Sequence, residues 1–421
     1  MTDTTKVVIV GGGFAGLNLA KKLGRQKGYT VTMIDKNNYN YFTPLLYQVA
    51  TGFLDVSNIS YPFRTLFRTK VDKNPKIGFR LAELLRVDPK VLTCYLSNGE
   101  ISYDYLIFAT GTMTNYFGNE NIRRNAIPMK NIEDALKMRN ILLQHLEMAS
   151  RSLDAEEKKR LLTFVVAGGG PTGVEVAGML AELRKSMIRA EYPELRGVQS
   201  EIYLVEGGAN LLAQMSKKSQ RESYNALVKL GVRIRLNAFV TDYQNSEVTL
   251  SNHTGIQTKN LIWAAGVIAP VFEGIPKTSL GPGNRMVTDA YNQVKDLEDV
   301  YAIGDSCIQY TDPRFPKGHP QLAQVAIQQG RFLARNLRAV SEGKPLTHFR
   351  YVDKGTLAII GRKKAVADLF GSGIHVGGFP AIIIWLFVHL SSLIKFRNKA
   401  KTLYNWTIAY LTGDQSLRII Y

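Results

Sequence analysis

The chain has 421 residues, 45% of them hydrophobic, and 53 Lys and Arg against 35 Asp and Glu, a formal net charge of +18. That hydrophobic fraction excludes a disordered or low-complexity chain, and the length leaves room for two or three domains. The positive surplus points to an anionic partner (nucleic acid, anionic lipid or a phosphorylated ligand), and the two distant cysteines, Cys94 and Cys307, exclude a disulfide framework, a metal knuckle and a Cys-x-x-Cys relay.

The apolar run Val7 to Val10 leads straight into Gly11, Gly12, Gly13, Phe14, Ala15 and Gly16, and Leu17 to Leu23 continues at helical spacing. Strand, glycine turn and helix in this order make a dinucleotide-binding βαβ unit. Gly11 permits the tight turn, Gly13 lets backbone approach a pyrophosphate, and Gly16 lets helix and strand pack closely. The helix N-terminus offers free amides and a positive dipole to the phosphates. A second apolar run from Tyr29 to Ile34 ends at Asp35, about 20 residues on, where an acid binds ribose hydroxyls. The first strand begins within six residues of Met1, so the reading expects no signal peptide and a cytosolic origin.

The stretch Asn37 to Gly52 is aromatic, poor in charge and interrupted by Pro44. It reads either as a buried connection or as a wall against a flat ring system. Leu84 to Leu96 is β-rich, with Asn98-Gly99 as a hairpin turn. Tyr105 to Ala109 is a short buried strand ending at Thr110-Gly111, and residues 133–160 read as a charged helix approaching a new domain.

Then the opening pattern returns. Leu161 to Ala167 reads as a strand, Gly168 to Gly173 as the turn, and Val174 to Leu183 as a helix. The next strand, Ile202 to Val205, ends in Glu206, 33 residues after Gly173, so a long helix or an insertion around Glu191 to Glu194 is expected. A third strand, Leu261 to Ala265, closes on Gly266 as Tyr105 to Ala109 closes on Gly111. A matched pair of fingerprints implies an internal duplication and two dinucleotides. Acids at both ribose positions favour NAD over NADP, because a carboxylate repels a 2′-phosphate.

Val300 to Gly304 is another short strand, closing on Asp305, an acid able to accept hydrogen bonds from sugar-alcohol hydroxyls or simply to end a turn. Gln321 to Ala339 reads as a helix with Gln324 and Gln328 on one face; the pair is either solvated or functional. Gly371 to Gly378 reads as a hinge. Beyond it, Phe379 to Ile394 holds sixteen residues without a formal charge, short of the ~20 that span a bilayer. Lys395, Arg397, Lys399 and Lys401 follow, then a helical piece, Leu403 to Leu411, with Tyr404, Trp406 and Tyr410. An apolar face bearing Trp and Tyr beside cations suits a helix lying in the membrane interface; a helix capping the domain core is the other reading. Between Arg331 and Lys401 there are thirteen Lys and Arg against three acids. Such a segment beside a long uncharged run fits an anionic lipid surface and not nucleic acid.

These residues together resemble the type II NADH:quinone oxidoreductases, single-subunit, non-proton-pumping flavoenzymes of respiratory membranes. The most specific pieces are Phe42 to Gly52, Gly168 to Glu175, Gly304-Asp305, Ala323 to Gly330, Lys354 to Thr356, His389-Leu390 and Phe396 to Asn398. The resemblance implies an α/β fold of two Rossmann-like dinucleotide-binding domains, for FAD and NADH, with a C-terminal amphipathic helical region that anchors the protein to a membrane. It places the FAD domain in 1–120 and 285–345, the NADH domain in 121–284 and the anchoring region in 346–421. It implies that Gly11 to Gly16, Asp35, Lys36, Leu84, Thr110, Gly111, Gly304, Asp305, Ala323, Gln324 and Lys354 hold non-covalent FAD. Gly168, Gly170, Gly173, Glu206 and Gly266 then hold NADH, and Glu175, Gln324 and Gln328 stand beside the flavin and quinone. Met179 departs from the family, which often carries an acid there. Glu175 is expected to stay ionised near the helix start, tuning the flavin in preference to relaying protons. No metal and no nucleic acid are expected; a homodimer is left open. The expected place is the cytoplasmic face of the cell membrane, bound peripherally. The competing readings are an NAD-dependent ferredoxin- or rubredoxin-type reductase, which leaves the apolar tail unexplained, and a flavin redox sensor, which binds without turnover.

Overall fold

The computed structural model describes residues 4–68, 77–371, 373–412 and 417–420. The chain forms two compact units, one of Met1–Tyr41, Tyr61–Met113 and Val267–Asp353, the other of Phe42–Ser60, Thr114–Gly266 and Lys354–Tyr421.

The first unit is built on a parallel five-stranded sheet in the order Val300–Ala302, Tyr105–Phe108, Thr5–Val10, Tyr29–Asp35, Ile77–Leu81. A parallel sheet is covered on both faces, which is why its strands read as unbroken apolar runs instead of alternating. Val7, Val8, Ile9, Val31, Met33 and Ile107 are all within 1% of full burial, and each such side chain contributes roughly 1.5–3 kcal/mol. Helix Phe14–Leu23 packs against helix Ala323–Ser341. The approach is close enough that a Cβ on Gly330 would stand 2.3 Å from the Ala15 carbonyl oxygen. The hairpin region resolves into an antiparallel sheet of Leu84–Asp88, Thr93–Leu96 and Gly99–Ser102.

The second unit repeats this plan. Its parallel sheet runs Ile127–Pro128, Asn260–Trp263, Phe164–Ala167, Ile202–Glu206, Val232–Leu236, and its antiparallel sheet runs Val240–Gln244, Glu247–Leu250, Gly255–Gln257. The charged helical stretch is two helices, Ile132–Arg151 and Ala155–Leu162. Asp154 breaks it, because its carboxylate caps the second helix by accepting from the Glu156 amide at 2.9 Å. Helix Pro171–Ala190 is longer than the spacing of apolar residues indicates, and this length explains the wide gap before Glu206.

The C-terminal segment differs from the expectation in two ways. Ile374–Gly377 is no hinge but the edge strand of a third sheet with Gly355–Ile359 and Ala365–Leu369. Asp368 fixes that sheet to the second unit, its carboxylate accepting from the Ser216 amide at 2.6 Å and from the Ser216 and Ser219 hydroxyls at 2.8 Å each. The helices Gly378–Ser392 and Phe396–Thr412 follow, and both tryptophans on them point inward instead of into an interfacial belt. Trp385 is 1% exposed and stacks on His389 at 3.9 Å, while Trp406 donates its indole N–H to Gln48 at 2.7 Å. Such an acceptor is the usual partner of a buried indole. The outer faces carry Phe379, Phe387, Phe396 and Tyr404, each at least two-thirds exposed. So one face caps the fold, and the other presents apolar surface. No described helix is long and apolar enough to cross a membrane.

Candidate active site

In the first unit Gly11 has φ +101, and a Cβ there would stand 2.3 Å from the Ala109 carbonyl oxygen and 3.0 Å from the Thr110 Cα. A Cβ on Gly16 would stand 2.0 Å from the Gly11 carbonyl oxygen. Gly12 donates its amide to Asp35 Oδ2 at 2.7 Å, and Asn37 donates to Oδ1 at 2.8 Å. Burial raises the Asp35 carboxyl above its ordinary value, opposed by these two amides and by the charge of Lys36. Ala82 donates its amide to the Asp35 carbonyl at 3.0 Å, which brings the start of strand Leu84–Asp88 to the ribose acid. Gly13 is exposed, with no heavy atom within 4 Å of where a Cβ would lie, and the first turn of helix Phe14–Leu23 holds no acid. This is an open anion cradle at a helix N-terminus, and it fits the pyrophosphate of FAD.

The second unit reproduces the cradle. Gly168 has φ +108, and its Cβ would stand 2.4 Å from the Ala264 carbonyl oxygen. Glu206 accepts from the Gly169 amide at 2.6 Å and the Gly208 amide at 2.7 Å. Gly170 is open as Gly13 is, and Pro171–Ala190 begins without an acid in its first turn. A phosphate-bearing dinucleotide fits here equally. At the third strand end a Cβ on Gly266 would meet the ring of Phe117 at 2.8 Å, and that ring is 67% exposed on a backbone of φ +52.

Back in the first unit, Gly304 has φ +77 and begins a turn through Asp305, whose carbonyl accepts from Gln321 at 3.0 Å. Helix Ala323–Ser341 starts at Leu322 without a side-chain cap. Gln324 is half-buried. Gln328, one turn on, spends its amide group on backbone: its Nε2 donates to the Val352 carbonyl at 2.8 Å and its Oε1 accepts from the Val352 amide at 3.0 Å. It thereby holds the chain two residues before Lys354. Gln329, which the periodicity argument passed over, is 1% exposed and accepts the Gly304 amide at 2.7 Å. Only its direct adjacency to Gln328 marks it in the sequence.

Glu175 is the fifth residue of its helix and 7% exposed, and burial pushes its carboxyl up to about 8 against one hydrogen bond from the Ile359 backbone. The expected ionised carboxylate is therefore replaced by a neutral acid at pH 7. The reason is position: the free amides of a helix lie in its first four residues, so desolvation outweighs the dipole one residue further in. Near it in the same unit lies a pocket lined by Tyr47, Gln48, Phe53, Met179, Arg362 and Trp385, among others. Two residues of the aromatic stretch, Tyr47 and Gln48, thus line this pocket. The Arg362 guanidinium lies 4.6 Å from the Phe53 ring centre, within cation–π range. A second pocket, walled chiefly by Leu142, Leu143, Leu146, Leu162 and Leu180, offers no redox or proton-transfer group.

Cys94 and Cys307 are both free and buried, and burial pushes their thiols up to about 12 and about 11. Neither supplies a thiolate at neutral pH. Among the described residues no cluster of His, Cys, Asp and Glu could hold a metal.

A family model described as pyridine nucleotide-disulphide oxidoreductase matches residues 5–330, and one described as NDH2 C-terminal domain matches 354–415. The chain is 34% identical to a type II NADH:quinone oxidoreductase, Ndh, of Mycobacterium tuberculosis, over 97% of its own length and 88% of the relative's. It is 30% identical to the mitochondrial external NADH-ubiquinone oxidoreductase 2 of Saccharomyces cerevisiae, over 98% and 82%. Its fold is similar to that of NDH2 from Plasmodium falciparum in complex with NADH, with TM-score 0.90, 23% identity, and 99% and 100% of the two chains covered.

Proposed function

We propose a division of labour from one premise: the chain belongs to the type II NADH:quinone oxidoreductases. It carries two electrons from NADH, by way of FAD, to a quinone. FAD, when bound, supplies the ring system that takes a hydride from NADH and passes electrons onward; the protein binds, orients and sets the electrostatics. The observation that carries this reading is the doubled acid-to-glycine cradle in a chain whose thiols are buried and inert.

In our reading Gly11 to Gly16, with Asp35, Lys36, Leu84, Thr110, Gly111, Gly304, Asp305, Ala323, Gln324 and Lys354, hold FAD, and Gln329 steadies Gly304. Gly168, Gly170, Gly173, Glu206 and Gly266 hold NADH. Both oxygens of Glu206 already accept backbone amides, so the carboxylate is fixed where a 2′-phosphate would meet it, which favours NADH over NADPH. The ring-lined pocket of Tyr47, Phe53 and Trp385 suits the flat head of a quinone, with Glu175 nearby to give or hold a proton. Gln328 acts by positioning the chain ahead of Lys354. The test is optical. NADH, and NADPH far more slowly, should bleach the flavin bands of the purified protein, and a menaquinone or ubiquinone analogue should restore them. Bleaching that ferredoxin reverses and quinone does not would move the protein to the ferredoxin-reductase reading.

We further propose that the outer faces of the two C-terminal helices lie on the cytoplasmic leaflet, bringing the quinone pocket to its lipid-soluble substrate. Phe379, Ile383, Phe387, Phe396, Leu403 and Tyr404 are exposed there, and each cation beside them adds on the order of 1 kcal/mol at an anionic surface. A second copy on the same face would oppose like charges, so lipid is the favoured partner. Replacing Phe387 and Phe396 together by Glu should weaken binding to anionic vesicles at least about 10-fold, since roughly 1.5–3 kcal/mol per buried side chain is lost. NADH oxidation with a water-soluble quinone should continue. Undiminished co-sedimentation with vesicles would remove these helices from membrane binding.

A further inference from the structure

Phe239 is 60% exposed, although its backbone is held at both ends. Its amide donates to Ser251 Oγ at 3.2 Å, and its carbonyl accepts from the Ser251 amide at 2.8 Å. Just before it, the Ala238 amide donates to the Glu206 carbonyl at 3.2 Å and the Asn237 amide to the Gly208 carbonyl at 3.0 Å. A Cβ on Gly207 would stand 3.8 Å from the Phe239 Cβ. A large apolar ring is thus fixed in solvent beside the loop that follows Glu206.

The scaffold does not require it. In the first unit the Ala82 amide donates to the Asp35 carbonyl at 3.0 Å, the Glu83 amide to Ser97 Oγ at 3.0 Å, and the Ser97 amide to the Glu83 carbonyl at 2.9 Å. Three of those four bonds recur here, and the residue standing where Phe239 stands is Glu83. The same backbone accepts a carboxylate, so the phenyl ring answers to something other than folding.

The sheet indicates what. Phe164–Ala167, Ile202–Glu206 and Val232–Leu236 are successive parallel neighbours, about 4.8 Å apart. The first opens into the glycine turn, the second ends in Glu206, and the third is followed by Phe239. Ligands of such sheets lie across the carboxyl ends of the strands. With pyrophosphate at the first and ribose at the second, the base of that nucleoside falls at the third.

We propose that Phe239 is the platform on which the adenine of NADH stacks, so that it selects donors carrying an adenosine half. This rests on the assignment of NADH to the second cradle. The test compares NADH with reduced nicotinamide mononucleotide, which lacks that half, in flavin reduction by the FAD-loaded protein. Aromatic stacking on a base amounts to about 10-fold in affinity or more. Phe239→Ala should raise the KM for NADH by about that factor with kcat held, and Phe239→Trp should restore it. The mononucleotide should show no such shift, which a general loosening of the fold would produce. A Phe239→Ala variant whose NADH KM stays within about twofold of the parent, or whose KM rises equally for both donors, overturns the proposal. If neither donor reduces the flavin of the parent protein, the assignment of the second cradle fails, and the proposal with it.

Discussion

Gly173→Ala is expected to leave FAD bound and to abolish reduction of the protein by NADH. A Cβ at this position would stand 1.8 Å from the Gly168 carbonyl oxygen and 3.0 Å from its carbon. Both are backbone atoms of the turn, so no side chain can swing aside. Relief requires helix Pro171–Ala190 to retreat from strand Phe164–Ala167, and its N-terminal amides then leave the phosphates. Losing two or three such contacts to an anion lowers NADH affinity on the order of 100-fold. The flavin site belongs to the other unit, whose own turn depends on Gly16, where a Cβ would stand 2.0 Å from the Gly11 carbonyl oxygen. Gly16→Ala should therefore give the reverse outcome, a protein purified without its yellow colour. Flavin absorbance per chain and stopped-flow reduction by NADH read the two effects separately. A Gly173→Ala protein reduced at the parent rate would disconnect this turn from NADH.

What the sequence discloses about the two cradles follows from their being local devices. A glycine turn, a helix start and an acid ending the next strand are set within some forty residues by backbone geometry, so Gly11, Gly16 and Asp35, then Gly168, Gly173 and Glu206, are legible without tertiary knowledge. The contacts that are not legible join distant side chains. Nothing near Trp406 says that its N–H meets Gln48, 358 positions away, so an apolar, Trp-bearing helix reads as an interfacial one. The glycines around Ile374 to Gly377 suggest a hinge because glycine marks turns; pairing with Ala365–Leu369 makes the segment a strand instead. Gln329 is hidden for a related reason. Periodicity groups Gln324 with Gln328, and it cannot say that the next residue turns inward to a glycine amide. The hinge misread on the tail, the inward-turned tryptophans and the omission of Gln329 have one source: partners supplied by the fold, not by neighbours in sequence.

Glu175 is the sharpest instance, because its protonation is set chiefly by burial, against one backbone hydrogen bond, and it yields the second large effect. Its folded carboxyl is raised from 4.5 to about 8, so the sign of the linkage is that of a buried acid. Below pH 4.5 the proton is held in both folded and unfolded chains, and Glu175 contributes no pH dependence. Between 4.5 and about 8 the unfolded chain releases the proton while the folded one keeps it, so stability falls as pH rises. Above about 8 both have released it and the loss is complete, up to about 5 kcal/mol at 1.36 kcal/mol per pH unit. Glu175→Gln removes this titration with little change of shape, and the melting temperature of the flavin-free variant should gain on the parent steadily from pH 5 to pH 8. The catalytic consequence has the opposite sign. A neutral acid at pH 7 can donate a proton and recover it, which an amide cannot, and general acid catalysis supplies typically 10²–10⁴-fold. Quinone reduction by Glu175→Gln should therefore slow on the order of 100-fold, with FAD content and the first reduction by NADH retained. Parent turnover should decline above pH 8, as the acid is lost, while the residual turnover of the variant stays level through that range. A variant that turns over at the parent rate and shows no gain in stability between pH 5 and pH 8 would show that this carboxyl is ionised at neutrality and takes no part in proton delivery.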